Sequence, residues 1–259
     1  MTLELSGKIV LVTRPREQAD ELRALLEERG AVVLIQPSIA ILPPDTWADV
    51  DAALQSVERR DFDWVLFSSA NGVRFFLERV AANRRARFFA DAQVSVAAVG
   101  PGTAAALRDF GVAVDVVPAK EYNAEGLVAA LLDAETSLVG KRLLSVRASR
   151  GRDVLSKEAT KLGAVVREVV AYRSVDVETP DAAILDALRS NRIDFGTVAS
   201  SATAKALARL FGDAFSQTRW VALSPLTADA LRSVGAEPAA VAEEATLAKL
   251  VEAVVNAAK

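Results

Sequence analysis

Pairs of serine residues stand where two buried strands are expected to end. Ser68 and Ser69 follow the apolar run 64–67, and Ser200 and Ser201 follow a second such run. Each pair precedes a predicted helix, so its hydroxyls would lie beside N–H groups that have no partner within the helix. Helix N-termini attract anions, and open α/β sheets bind ligands at the ends of their strands. The two pairs therefore predict two anion-binding sites.

Threonine and arginine residues occupy further strand-end turns. The residues are, in chain order, Arg14, Thr103, Arg147 and Thr227. A single hydroxyl in such a turn usually only caps its helix. These turns, however, occupy matching places in both halves of the chain. They therefore favour a ligand that carries several carboxylates or phosphates.

The turn around Thr103 allows a second interpretation. The stretch Gly100-Pro-Gly-Thr-Ala-Ala105 fits the G-x-G-x-x-A fingerprint of dinucleotide-binding proteins. That fingerprint normally follows the first strand of its domain, and the matching turn that begins at Ser224 lacks both glycines but keeps Thr227. The hydroxyl is the repeated feature, so the sequence favours anion binding and predicts no cofactor.

Two residue types that are frequent in active sites are missing. The chain has no cysteine and no histidine, which excludes thiolate nucleophiles, His-assisted triads and zinc sites built on these ligands. The best uncharged proton donor left is a tyrosine, and Tyr172, at the end of a predicted strand, is one of only 2. A tyrosine in this place also fits simple packing, so both interpretations stay open.

Net charge and hydropathy limit the kinds of molecule that the chain is expected to bind. A net charge of −3 gives no indication of nucleic acid, and no apolar run is long enough to cross a membrane. The first residues lack the pattern of a secretion signal. We therefore expect a cytoplasmic monomer that binds a small molecule and neither nucleic acid nor membranes.

The order of motifs repeats within the chain. Gly30-Ala-Val-Val33 recurs as Gly163-Ala-Val-Val166, and Lys8 and Lys141 each follow a glycine and open an apolar run that ends in arginine. Together with the serine pairs and the threonine turns, these repeats predict an internally duplicated chain.

Strands and helices are predicted to alternate along the chain. Predicted strands cover 8–13, 32–36, 64–68, 94–99, 112–117, 141–147, 165–172, 195–199, 219–223 and 238–242. Short strands rich in Val, Ile and Leu, without alternation of polar residues, indicate parallel sheets with helices on both faces. Pro37, Pro43 and Pro44 predict a break in regular structure and a hinge.

In this order, the motifs resemble those of uroporphyrinogen-III synthases over nearly the whole chain. The matching segments are V-L-V-T-R-P at 10–15, F-S-S-A-N-G-V at 67–73, V-G-P-G-T-A at 99–104, Y-N-A-E-G-L at 122–127, G-K-R-L-L-S-V-R at 140–147, A-Y-R at 171–173, S-S-A at 200–202 and P-L-T-A-D-A-L at 225–231.

The resemblance implies two parallel-sheet, flavodoxin-like α/β domains joined by a two-stranded connector, with the active site in the cleft between them. It implies residues 1–37 and 174–259 for the first domain and 38–173 for the second. The implied enzyme is a cyclising hydro-lyase of tetrapyrrole and heme biosynthesis, which converts hydroxymethylbilane into uroporphyrinogen III with inversion of ring D and loss of water. It needs no cofactor. The alternative is a non-catalytic protein of this fold that binds a tetrapyrrole or another polyanion.

The same resemblance implies roles for individual residues. Tyr172 matches the tyrosine that would help the substrate hydroxyl to leave as water. The matching ligand contacts are Arg14, Ser68, Ser69, Asn71, Thr103, Arg147, Ser200, Ser201 and Thr227. The chain departs from the family pattern at Ser224, where glycine is usual, and at Leu226, where threonine is frequent.

Overall fold

The computed structural model describes residues 3–151 and 153–259 and contains two compact units. The first unit consists of Met1–Ala40 and Val175–Lys259, and the second of Ile41–Ser174. The strands are β1 (Ile9–Val12), β2 (Val32–Ile35), β3 (Ile39–Leu42), β4 (Trp64–Phe67), β5 (Ser95–Ala98), β6 (Arg142–Ala148), β7 (Val165–Asp176), β8 (Phe195–Val198), β9 (Trp220–Ala222) and β10 (Ala240–Val241). The α-helices are α1 (Asp20–Glu28), α2 (Ala48–Glu58), α3 (Ala70–Leu77), α4 (Phe88–Ala92), α5 (Pro101–Asp109), α6 (Ala124–Glu135), α7 (Val154–Lys161), α8 (Ala182–Arg189), α9 (Ser201–Phe211), α10 (Asp213–Ser216), α11 (Pro225–Ser233) and α12 (Leu247–Ala258). Short 3₁₀ helices cover Arg16–Gln18 and Arg85–Arg87.

The first unit is built on a 5-stranded sheet in the order β10-β9-β8-β1-β2. Its neighbouring strands are parallel. Val10 and Val12 of β1 pack in a cluster with residues of α1 and α12, whereas Leu11 packs in another with residues of α8, α9 and α11. Helices therefore cover both faces of this sheet, as the unbroken apolar strands predict.

A glycine in β8 makes room for a fully buried tryptophan. A Cβ atom at Gly196 would lie 2.2 Å from the ring of Trp220 on the neighbouring strand. The indole N–H of Trp220 donates to the carbonyl of Phe215 at 2.7 Å, so the ring is fixed by a hydrogen bond as well as by packing. Position 196 therefore has no room for a side chain.

The other sheet is also 5-stranded, in the order β3-β7-β6-β4-β5, and consists mainly of residues of the second unit. The pairs β7-β6, β6-β4 and β4-β5 are parallel. All residues of β4 are buried, and Phe67 at its end meets Phe76 and Phe89 edge to face. The predicted mixed α/β fold with parallel sheets is confirmed.

The predicted strand at 112–117 is wrong. The segment forms one isolated bridge, between Val116 and Ala97 of β5. The carboxylate of Asp115 accepts the N–H of Val96 at 2.7 Å. Because a side chain has taken that donor, the segment touches the sheet edge without extending it.

The predicted break around the prolines is interrupted by β3. The prolines flank this strand at positions 37, 43 and 44, and none lies within its four residues I-A-I-L. Residues 39–42 therefore all have backbone N–H groups, which are free to pair in the sheet. Strand β7 continues to Asp176, beyond its predicted end at 172, and the short helices α4 and α10 were not predicted.

Aspartates bind the first residues of neighbouring strands in both sheets. Asp63 accepts the N–H of Arg142 at 2.7 Å, and Asp194 accepts that of Ile9 at 2.9 Å. Each carboxylate also pairs with a cation, Arg142 for Asp63 and Lys8 for Asp194. Burial alone would raise the pKa of both aspartates, but these hydrogen bonds and charges outweigh it, and the pKa of each is lowered.

Candidate active site

In the second unit, strand register brings the strand-end turns to one edge of the sheet. Phe67, the last residue of β4, lies opposite Ala98 of β5 on one side and Val146 of β6 on the other. Ala148 of β6 lies opposite Tyr172 of β7. The turns that follow β4, β5 and β6 therefore lie along one edge, and Tyr172 lies beside the last of them.

Tyr172 is buried, and its hydroxyl contacts one of the predicted serines. Its side chain is only 7% exposed. The phenol oxygen lies 3.0 Å from Oγ of Ser69, and the ring stacks on Phe75 of α3 at 5.8 Å between centroids. Ser69 is the N-cap of α3 and accepts the N–H of Gly72 at 3.0 Å. The hydroxyl of Tyr172 is thus coupled to the start of a helix.

An irregularity in strand pairing places Tyr172. The register between β6 and β7 shifts after Arg147, which faces Val170, so that Ala148 faces Tyr172 and Ala171 is passed over. Such bulges change the direction of a side chain and occur often beside active sites. The carbonyl of Tyr172 accepts the N–H of Ser149 at 2.9 Å, so the backbone at the irregularity is held.

Helix α5 begins without a side-chain cap. Its N-cap residue is Gly100, and the cap makes no side-chain hydrogen bond. Thr103 in the first turn is 6% exposed, and no described residue hydrogen-bonds its hydroxyl. Within the described residues, only the hydroxyl of Ser38 is both sealed from solvent and without a partner, so the hydroxyl of Thr103 reaches solvent. The start of α5 thus offers free N–H groups and a free hydroxyl.

Tyr122 packs closely against the glycine that begins this turn. A Cβ atom at Gly100 would lie 3.1 Å from Cβ of Tyr122, which packs against the turn while its side chain stays largely exposed. A serine cap at position 100 would crowd this contact. Tyr122 is not among the predicted site residues, and the signal that could have found it is the position of Y-N-A-E-G-L among the matching motifs.

The other predicted residues of the second unit lie close by with different partners. Ser68 is exposed and donates to the carbonyl of Val146 at 3.2 Å. Asn71 lies in the first turn of α3, and no described residue hydrogen-bonds its half-buried side chain. Arg147 pairs with Glu168 at 2.9 Å and donates to the carbonyl of Gly151 at 2.9 Å. To reach a ligand, Arg147 would have to leave these partners.

In the first unit, pairs of hydroxyls cap two helices. Ser200 caps α9 by accepting the N–H of Thr203 at 3.2 Å, and their hydroxyls are 2.9 Å apart. Ser224 caps α11 in the same way, with 3.3 Å to the N–H of Thr227 and 3.0 Å between hydroxyls. The hydroxyl of Ser201 donates to a carbonyl in the first turn of α11 at 3.2 Å, which joins the two helix starts.

Because of these caps, the two predicted threonines, Thr103 and Thr227, differ in which of their groups are free to bind a ligand. Ser224 occupies both the N–H and the hydroxyl of Thr227, whereas Gly100 leaves both groups of Thr103 free. Among α3, α5, α9 and α11, α5 alone lacks a side-chain cap. The departure from glycine at Ser224 therefore has a visible consequence: the turn of Thr227 has its hydroxyl and N–H hydrogen-bonded to Ser224, whereas the turn of Thr103 keeps its donors free.

Arg14 is the cation of the first unit's strand ends. It is half-buried, its hydrogen bond is to Oε1 of Gln18 at 3.4 Å, and no described carboxylate pairs with it. Burial lowers the pKa of Arg14, and the charge of Glu21 offsets part of this effect. A partly desolvated guanidinium without a paired carboxylate is well suited to receive an anionic ligand.

The described part of the chain contains no cluster of acidic residues that could hold a metal ion. None of its helices is both long and apolar enough to span a membrane. What the strand ends offer instead is hydroxyls, free N–H groups, one buried phenol and one half-buried cation. This fold and these groups define an α/β protein of the open parallel-sheet class whose strand ends carry groups able to bind anions.

Comparison with known proteins identifies the family within this class. Residues 20–252 match the family model described as uroporphyrinogen-III synthase HemD. Uroporphyrinogen-III synthase of Synechococcus elongatus is 34% identical over 208 residues, which cover 80% of this chain and 75% of that protein. The chain belongs to the uroporphyrinogen-III synthase family, and this membership places it among the enzymes of tetrapyrrole biosynthesis.

Solved structures show the same fold. Uroporphyrinogen-III synthetase from Helicobacter pylori superposes with a TM-score of 0.63 at 16% identity, over 96% of this chain and 98% of that one. A mutant uroporphyrinogen III synthase from Thermus thermophilus gives a TM-score of 0.59 at 20% identity, over 96% and 98%. At these identities the likeness concerns the fold.

Proposed function

We propose that this protein is a cyclising hydro-lyase that converts hydroxymethylbilane into uroporphyrinogen III, with inversion of ring D and loss of water. The observation that carries the proposal is the pairing of a buried phenol, Tyr172, with a row of hydroxyl-bearing turns at the same sheet edge. The substrate carries eight carboxylates, and the turns offer groups that bind carboxylates. Its methylene hydroxyl must leave, and the phenol can supply a proton.

Binding would begin at the start of α5. A carboxylate placed there accepts hydrogen bonds from free N–H groups of the first turn and from the hydroxyl of Thr103. Ser68 and Asn71 lie on the neighbouring turn at the same sheet edge and would take a second carboxylate. Arg147, already paired with Glu168, would support the turn after β6 unless it exchanges partners.

The first unit would take further carboxylates at Arg14 and at the starts of α9 and α11. The hydroxyls of Ser200, Ser201 and Thr227 are already hydrogen-bonded, to Thr203, to the carbonyl of Leu226 and to Ser224 respectively. Arg14 would therefore contribute most of the attraction. We propose that the turns of both units bind the same substrate, and that the units are the two α/β domains of a duplicated chain, 1–37 with 174–259 and 38–173. The matching roles of Asp63 and Asp194 support this duplication.

Tyr172 would act as the acid. Its O–H gives a proton to the substrate hydroxyl, the C–O bond breaks with its electron pair on the departing oxygen, and water leaves. The bilane becomes an azafulvenium cation, and Tyr172 becomes a phenolate. Ring D then attacks through its substituted carbon to give a spiro intermediate, and a proton released during rearrangement returns to the phenolate. Holding the reactive substrate in one shape supplies the rest.

Separation of the product isomers tests this proposal. The protein is mixed with freshly made hydroxymethylbilane, and the uroporphyrinogen formed is oxidised and resolved into types I and III. We expect type III to predominate. Formation of type I alone, which arises without enzyme, would contradict the proposal and favour the non-catalytic binding protein as the alternative.

A further inference from the structure

The hydrogen bond between Ser69 and Tyr172 can run from the serine hydroxyl to the phenol oxygen, because the other contact of Ser69 uses its oxygen and leaves its proton free. The oxygen of Ser69 already accepts the N–H of Gly72 at 3.0 Å, and the phenol oxygen is 3.0 Å away. No other described group accepts the proton of the Ser69 hydroxyl. That proton is therefore available to the oxygen of Tyr172, while the oxygen of Ser69 stays bonded to the helix.

The hydrogen bond that Ser69 can donate becomes more important when Tyr172 gives up its proton. Within the described residues, Ser69 is the one group that hydrogen-bonds the phenol oxygen. A phenolate formed in this buried place has no other side-chain donor among them, and buried charges without a donor are costly. A donor that is itself polarised by a helix N–H becomes a stronger donor. The start of α3 adds the positive end of the helix dipole.

We propose that Ser69 is a positioning residue that acts through Tyr172: it donates its O–H to the phenol oxygen as that oxygen transfers its proton to the departing hydroxyl. The inference rests on the proposed function for the identity of the proton acceptor. No further reactant is needed, because the Ser69 proton shifts only within its hydrogen bond and the Tyr172 proton is restored when ring closure releases one. Ser69 would thus support the acid instead of serving as a carboxylate contact.

A double-mutant cycle tests the inference by activity. Ser69→Ala removes the donor, and we expect kcat to fall about 10-fold or more with a smaller change in KM, as for a lost hydrogen bond to a charged group. In a Tyr172→Phe background the same substitution should change kcat little, because its effect passes through the phenol. Ser69→Thr keeps a hydroxyl in the extended N-cap conformation and should restore most of the rate.

Loss of the helix cap needs its own control. Thr246 caps α12 by accepting the N–H of Lys249 at 3.2 Å, and it is not among the residues proposed to contact the substrate. Thr246→Ala should shift the urea unfolding midpoint downward to a similar degree and leave kcat unchanged. If Thr246→Ala slows the reaction as much as Ser69→Ala does, the effect is one of stability and the inference is wrong.

A spectroscopic measurement needs no substrate and separates this inference from the proposed function. The chain has 2 tyrosines, so Tyr122→Phe leaves Tyr172 as the sole source of tyrosine bands in a Raman spectrum. In that background, Ser69→Ala should lower the intensity ratio of the tyrosine Fermi doublet, which is high when the phenol oxygen accepts a hydrogen bond, with circular dichroism confirming that both proteins stay folded. An unchanged ratio, or an equal loss of kcat with and without the Tyr172 hydroxyl, would overturn the role of Ser69 even if the protein makes type III.

Discussion

Replacing Thr103 with valine tests whether the uncapped start of α5 binds a carboxylate. Valine has the shape of threonine without its hydroxyl, so packing at this buried position should be kept. The hydroxyl of Thr103 has no partner among the described residues, and its loss breaks no internal bond. We therefore expect the free energy of unfolding to stay within about 0.5 kcal/mol of the wild-type value.

The expected effect on binding is much larger. A hydrogen bond to a charged group contributes about 1.5–3 kcal/mol, and 1.4 kcal/mol corresponds to a factor of ten. Because water can partly replace the lost hydroxyl at a site open to solvent, we expect the lower part of this range. KM for hydroxymethylbilane should rise about 10- to 30-fold.

Thr227→Val is the matched control. The hydroxyl of Thr227 bonds Ser224 at 3.0 Å, so valine removes an internal hydrogen bond and should lower the free energy of unfolding by about 1 kcal/mol. Its effect on KM should be the smaller of the two. Initial rates over a range of bilane concentrations and urea unfolding curves give both quantities. If KM rises equally in both variants, or only in Thr227→Val, the argument from helix caps is wrong.

Two further substitutions test the fold that positions the site. Gly196→Ala would place a Cβ atom 2.2 Å from the Trp220 ring, so we expect a loss of about 1–3 kcal/mol or more in urea unfolding, and a wild-type midpoint would refute the packing. Asp63 and Asp194 have a lowered pKa, so their stabilisation is complete above the ordinary aspartate value of about 3.9 and is lost as the pH falls through the folded value. Asp63→Asn should therefore flatten the acid limb of a stability profile, and an unchanged limb would contradict this role.

Much of the fold follows from local patterns that the sequence displays directly. Runs of Val, Ile and Leu without alternation indicate strands buried on both faces, and β1 and β4 are buried in this way. The segment 112–117 is also rich in valine but does not form a strand. The carboxylate of Asp115 accepts a backbone N–H of β5, the strand that the segment would have to join. Such a contact between distant segments cannot be recognised from either segment alone.

The candidate site likewise has features that the sequence displays and features that depend on contacts between distant residues. The serines and threonines at strand ends could be found because strand ends and helix starts are local features. Which of their hydroxyls are free could not be found, since this depends on side-chain hydrogen bonds such as those of Ser224 with Thr227 and of Ser201 with a carbonyl of α11. The contact between Ser69 and Tyr172 depends on the register of β6 and β7, and no sequence motif records that register.

The most direct test compares rate with isomer ratio in one assay of the wild type and Tyr172→Phe. The substitution keeps the ring that stacks on Phe75 at 5.8 Å and removes only the hydroxyl. Acid catalysis is typically worth about 10²- to 10⁴-fold, and this substrate ionises readily by itself, so we expect a fall in rate at or below the low end. The product of both proteins should be mostly type III, because the anion-binding turns determine how the bilane folds. A wild-type rate for Tyr172→Phe, or type I alone from the wild type, would contradict the account.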